Sequence, residues 1–215
     1  GWWFFAPVSA ASVFVFMTLL HWGQGDVYAI LSFLDADHLP TRLERALSLL
    51  TRGAMPMLVP LIAHPTSYQR VLTAFVELFS VNAMSIEFLF SSPIRSVVTA
   101  VLIGLTAVSI LTGAWRVYVG ATSGPYLIDI GELGLLWAFF LTLPPIFAVG
   151  VYFCVWHSLR HIARVTIVDQ SSRQALDSAR IRPAIRRFTR DAAPLTVVAL
   201  LFFGGLYVLI PRPPN

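Results

Sequence analysis

The sequence predicts an all-α fold, a polytopic transmembrane helix bundle, and three observations carry that prediction: 57% of the residues are apolar, only 12% are charged, and the mean hydropathy is +0.74. Soluble domains rarely combine such values. Several stretches of about 18 or more residues carry almost no charge, which is the length a helix needs to cross a ~30 Å hydrocarbon core. The expectation is one integral membrane domain over residues 1–215, with about six crossings and no internal repeat.

The first apolar run extends from Trp2 to Leu20 and ends at His21-Trp22-Gly23-Gln24-Gly25-Asp26. Two glycines and polar residues there can break or cap a helix, which would place His21 at a helix end. A shorter apolar piece continues to Leu34. Asp35 to Arg52 is charged, with Arg42, Glu44 and Arg45 at surface-helix spacing, and reads as an interfacial loop. From Gly53 to Ile62 the run is apolar, but Pro56 and Pro60 each remove a backbone donor, so a broken or re-entrant segment is expected. After His64-Pro65, Tyr68 to Phe90 reads as a helix with Glu77 and Glu87 toward polar surroundings. Ile94 to Tyr118, flanked by Arg95 and Arg116, is a clear span, and Gly120 to Pro125 is a turn. Leu127 to Arg164 is too long for one crossing, and Pro144-Pro145 divides it into Glu132–Leu143 and Ile146–Arg164. Leu195–Ile210 forms the last span.

The net charge of +4 comes from fifteen arginines and no lysine. Eight of these, from Arg160 through Arg164, Arg173, Arg180, Arg182, Arg186 and Arg187 to Arg190, lie in one segment before the last span. By the positive-inside tendency that segment is cytoplasmic, so the basic balance reads as the topology of a multi-pass cell-membrane protein, and no nucleic-acid partner is expected. The single cysteine, Cys154, excludes a disulfide within the chain and any multi-cysteine metal site. It is expected to pack as a small apolar residue. The sequence starts at Gly1 and is apolar from Trp2 on, with no signal-peptide pattern, and so reads as a fragment that lacks its start.

The chemistry-bearing segment is Tyr152-Phe153-Cys154-Val155-Trp156-His157-Ser158-Leu159-Arg160-His161. On an α-helix His157 and His161, four apart, share one face and can bind one metal ion. Two histidines at the interface beside Arg160 and Arg164 are an equally good reading of the spacing alone. His21 adds a third imidazole at the end of a span, where such a side chain is costly unless it faces the interior with a partner. Histidine sites of this kind suit zinc, copper, iron or nickel. Asp26 and Glu132 are carboxylates that can accept the outer N–H of a ligating histidine, or instead cap a helix or face water.

YFCVWHSLRH at Tyr152–His161, the preceding Leu143-Pro144-Pro145, HWGQGD at His21–Asp26, and Arg52-Gly53 with Met55-Pro56 through His64-Pro65 together resemble the Brp/Blh family of bacterial and archaeal β-carotene 15,15′-dioxygenases. The resemblance covers nearly the whole chain. It implies a membrane enzyme that holds Fe(II) by histidines and splits the central double bond of β-carotene with O2 into two retinals. Carried over, the ligands would be His21, His157 and His161. The family pattern has a further histidine in an HGxxD-like element on an earlier helix. This chain contains no such element, so that ligand is expected in the missing start. His64, before Pro65, reads as a loop or interfacial residue. β-Carotene and membrane lipid are the implied apolar partners, and the family carries a functional link to a rhodopsin.

β-Carotene dissolves only in a bilayer and is about as long as its core is thick. Trp22, Phe139, Phe140, Tyr152, Phe153 and Trp156 are candidates to line a polyene tunnel, or equally to face lipid. Two alternatives use the same residues differently: a non-catalytic carotenoid or retinal carrier, and a membrane haem protein with axial histidines on different helices.

Overall fold

The structure, a computed structural model, describes residues 5–77 and 86–168 and scattered positions between 182 and 201. It divides into two units, Gly1–Arg160 and His161–Asn215, each described by itself. The helices are α1 (Pro7–Phe33), α2 (Arg42–Ala63), α3 (Pro65–Glu77), α4 (Ser92–Tyr118), α5 (Ser123–Thr142), α6 (Pro145–Val151) and α7 (Ser158–Val168). A 3-10 turn (Glu87–Phe90) precedes α4, and a π-helical segment (Tyr152–His157) joins α6 to α7. There is no strand among the described residues. Four helical stretches, α2, α4, α5 and Pro145–Arg164, are long and apolar enough to cross a membrane, so the molecule is the all-α membrane bundle that its composition predicts. The expected last span, Leu195–Ile210, falls largely outside the described residues.

Two sequence expectations at the start of the chain are corrected. The helix does not stop at His21: α1 runs on to Phe33, and His21 lies in its interior. The glycines serve close packing, not a cap. A Cβ on Gly23 would fall on the Leu49 carbonyl of α2, and one on Gly53 would fall on the Leu19 carbonyl of α1. Each helix therefore offers the other a bare backbone patch, the device by which membrane helices approach closely.

The second correction concerns residues 35–62. Only 34–41 is a loop. α2 starts at Arg42 behind a capping box, in which the Glu44 N–H donates to Thr41 Oγ1 at 3.2 Å and the Thr41 N–H donates to Glu44 Oε2 at 2.9 Å. It then continues unbroken through Pro56 and Pro60, both buried. Proline removes a hydrogen bond wherever it stands, but α2 is the central helix, packed against α1, α4 and α5, and such neighbours hold an interrupted helix together.

Of the helix expected over Tyr68–Phe90 the structure describes α3 as far as Glu77 and a 3-10 turn at Glu87–Phe90, with 78–85 outside the described residues. α4, the turn at Gly120 (φ 118°) and the division at Pro144-Pro145 follow the sequence closely. The 34–41 loop is fastened to the start of α5: the Thr122 N–H and hydroxyl donate to the Asp37 carboxylate at 2.9 and 2.7 Å. These bonds from Thr122 hold the Asp37 carboxyl below its ordinary range. The main core gathers Trp22, Met55, Val59, Leu102, Phe140 and Tyr152 between α1, α2, α4, α5 and the π segment. Cys154, expected to pack as a small apolar residue, is exposed. Its neighbours Phe153 and Val155 are exposed as well, so this side of the segment is an apolar outer face.

Candidate functional site

Helical spacing puts His21 and Gly25 on one stripe of α1, and both face His157. The two imidazoles lie edge to face with centroids 5.4 Å apart and planes at 62°. A Cβ on Gly25 would lie 3.7 Å from His157 Cε1, ordinary van der Waals contact, so the His157 ring packs directly over this stretch of α1. His157 gets there through the π segment. One extra residue per turn turns the following side chains by about 100°. The wide turn is held by Ser158, whose N–H and Oγ both donate to the Phe153 carbonyl, the hydroxyl at 2.7 Å. His157 is also stacked on Phe153 (5.7 Å, 17°) and tilted against Trp22 (6.2 Å).

Behind the pair stands a network of charges drawn from α1, the 34–41 loop, α2, α5 and the start of α7. Arg52 and Asp26 are each 1% exposed, so neither charge has water to solvate it. Arg52 reaches Glu132 at 3.1 Å and Asp26 at 3.6 Å, and pairs closely with Asp129. Arg160 repeats the pattern, reaching Glu132 at 2.5 Å and Asp26 at 3.2 Å. Its guanidinium lies 4.3 Å over Trp156, whose Nε1 donates to Asp26 Oδ2 at 3.3 Å. Buried His38 closes the network against Asp129 at 2.8 Å. Unpaired charges at such depth would cost several kcal/mol each. The pairing therefore ties the residue beside His157 to the helix that carries His21.

On the other side of Trp22 and Phe153 lies an apolar cavity of about 480 Å³, walled by Phe14, Thr18 and Trp22 of α1, Met57 of α2, Tyr68 and Leu72 of α3, and the α6–π run. A second cavity of about 250 Å³ shares Val15, Met57, Tyr68 and Leu72 with it.

The structure thus brings together two of the three expected ligands, His21 and His157. His161 lies on α7 in the second unit and is described only there. Among the described residues no three of His, Cys, Asp and Glu gather closely enough to hold a metal ion. The two imidazoles fit neighbouring positions on one ion, since metal–nitrogen distances of about 2.1 Å place two such rings about 5 Å apart. Asp26 and Glu132 stand one step behind, with guanidinium and indole partners. His64 ends α2 with its Nε2 at 3.1 Å from the Leu141 carbonyl, away from the pair. Of the six aromatics, Trp22 and Phe153 wall the larger cavity, while Phe140 and Tyr152 are core residues and Phe139 and Trp156 pack against that core.

Sequence reading missed His38, Asp129 and the roles of Arg52 and Arg160. The signal was present for two of them, in the same form that singles out Glu132. Arg52, Asp129 and Glu132 interrupt otherwise apolar spans, and an ionisable group there marks an interior partner by default.

Comparison with known proteins follows the same lines. A family model described as beta-carotene 15,15'-dioxygenase matches residues 1–215. A probable beta-carotene 15,15'-dioxygenase, Blh, of Halobacterium salinarum strain NRC-1 is 44% identical over 215 residues, covering 99% of this chain and 61% of the relative. The probable beta-carotene 15,15'-dioxygenase Brp of H. salinarum strain R1 is 28% identical over 219 residues, covering 98% of this chain and 60% of the relative. The chain spans about three fifths of the length of these curated relatives. No solved structure matches it.

Proposed function

The chain belongs to the beta-carotene 15,15'-dioxygenase family, and from that premise we propose that it cleaves β-carotene at its central double bond with O2, giving two molecules of retinal. The observation that carries this reading is the meeting of His21 with His157, 5.4 Å apart across two helices, behind Trp22 and Phe153, which line an apolar cavity. The metal would be Fe(II), with His21 and His157 among its ligands and His161 the third that the family resemblance implies. Bound there, it would supply the O2 chemistry that no side chain can. The carbon–carbon double bond and O2 are consumed and two aldehydes are formed.

The chain's own residues do the rest. Phe153 and Trp22 fix the plane of the His157 ring, and Asp26 with Arg160 and Trp156 anchors the segment that carries it. The apolar walls keep water from the reacting bond. The edge-on pair suits neighbouring positions on one ion and not the two faces of a haem, which favours the oxygenase over the haem reading. The protein would act within the cell membrane, and a rhodopsin is the natural consumer of the retinal.

The test is expression of the complete gene in bacteria that accumulate β-carotene, beside a His157→Ala culture. Bleached cells with extractable retinal in the first and coloured cells without it in the second are expected. Coloured cells with no retinal, despite membrane-inserted wild-type protein, would reject the proposal.

A further inference from the structure

The two apolar cavities adjoin, with Val15, Met57, Tyr68 and Leu72 in the lining of both, and these side chains form the interruption between them. Tyr68 and Leu72, four apart on α3, and Met57 of α2 wall both cavities. At the interruption the Tyr68 hydroxyl donates to Met57 Sδ at 3.3 Å. The Tyr68 ring is backed edge-on by Phe90, at 6.0 Å between centroids. A thioether is a weak acceptor, so this bond does little to reward burying a hydroxyl in an apolar passage. What the pair does provide is a blunt wall of an aromatic ring and a thioether.

The wall stands at an informative depth. The larger cavity extends along α1 from Trp22 to Phe14, eight residues or about 12 Å at 1.5 Å per residue. Its near end is formed by Trp22 and Phe153, the two rings that lie against His157. The smaller cavity carries the passage on to Ala11, about 5 Å further. A molecule about as long as a ~30 Å hydrocarbon core has arms of about 15 Å on either side of its midpoint. The larger cavity, about 12 Å along α1, is close to the length of one such arm, whose outer end would come to rest against Tyr68 and Met57 once its inner end passes beside the Trp22 and Phe153 rings. The lining carries no charged residue, which fits a hydrocarbon occupant. The rim residues Phe14, Val71 and Ile146 are exposed, giving an apolar mouth.

We infer that the Met57–Tyr68 contact is a depth stop: it halts one arm of the polyene and so decides which double bond lies at the His21–His157 pair. This rests on the cleavage proposed above, and deepens it from what is cut to how the position of the cut is chosen. An arm that could pass the stop would slide toward Ala11 and bring an off-centre bond to the histidines. Two unequal aldehydes would then form in place of two equal ones.

Wild type, Tyr68→Phe, Tyr68→Ala and Met57→Ala would be expressed as the full-length protein in β-carotene-accumulating bacteria, and the aldehydes separated and weighed by chromatography and mass spectrometry, per unit of membrane-inserted protein. Wild type and Tyr68→Phe, which keeps the ring, should give retinal alone. Each alanine variant opens the wall from a different helix and should raise the unequal aldehydes about tenfold or more over wild type, the discrimination that contacts of a few methylenes supply. Retinal as the sole product of both alanine variants would overturn the stop and leave the cleavage reading intact. Loss of all cleavage in both, with Tyr68→Phe active, would also overturn it, because a removed stop misplaces the substrate and does not inactivate the site. No aldehyde from wild type would overturn both readings.

Discussion

A guanidinium that is 1% exposed is a demand on its surroundings, and Arg52 meets it with three carboxylates. Replacing it by methionine keeps the bulk and removes the charge, leaving Asp26, Asp129 and Glu132 to face one another with Arg160 as their remaining cation. The expected loss is about 3–5 kcal/mol, the range for breaking a buried pair from one side, read as a fall in the thermal midpoint of the purified protein. Arg116→Met is the comparison. Its pair with Glu44 is made by a side chain that is 35% exposed, so it should cost under about 1 kcal/mol. Equal losses would mean that the network does not hold the site together. At this scale the sequence was informative about His21, His157, Asp26 and Glu132, because an ionisable residue in an apolar run stands out. It was silent about which groups pair, since Arg52 and Asp129 meet across 77 residues of chain.

Elements were legible where a single helix decides its own limits and illegible where a neighbour decides them. Pro144-Pro145 ends α5 by local geometry and could be read directly. Gly23, Gly25, Pro56 and Pro60 carry local breaking tendencies that the packing of α1 on α2 overrides. The π segment was out of reach for a related reason: a search for 3.6-residue periodicity has no place for an extra residue, and the Ser158 hydroxyl that supports the wide turn looks like any serine. Gly53→Ala tests the packing account. Its methyl group would land on the Leu19 carbonyl and push the helices apart, costing about 1–3 kcal/mol and lowering the thermal midpoint. Gly104→Ala on α4 has nothing within 4 Å to meet and should be neutral or up to about 1 kcal/mol stabilising, as alanine is the better helix former. A harmless Gly53→Ala would refute close backbone packing as the reason that α1 continues through its glycines.

At the scale of the molecule, composition alone announced an all-α membrane bundle. The crossing count was less accessible, because helices such as α1 and α3 carry polar or aromatic positions that length and hydropathy do not sort. Exposed Phe16, Met17, Leu111, Trp115 and Leu127 show the same apolar exterior at many points, as expected where lipid takes the place of water. The mouth of the larger cavity belongs to this exterior: Ile146 is 71% exposed and Phe14 50%. A substrate that arrives there never leaves the bilayer, so its effective concentration is a mole fraction in lipid, not an amount per litre of suspension. Diluting reconstituted vesicles with buffer should leave the initial rate per enzyme unchanged. Fusing them with carotenoid-free vesicles should lower it in proportion to the added lipid below saturation. A rate that followed the buffer volume instead would place the substrate's approach on the aqueous side, and the surface chemistry of this bundle would then have to be read afresh as a problem of extraction from water and not of two-dimensional diffusion.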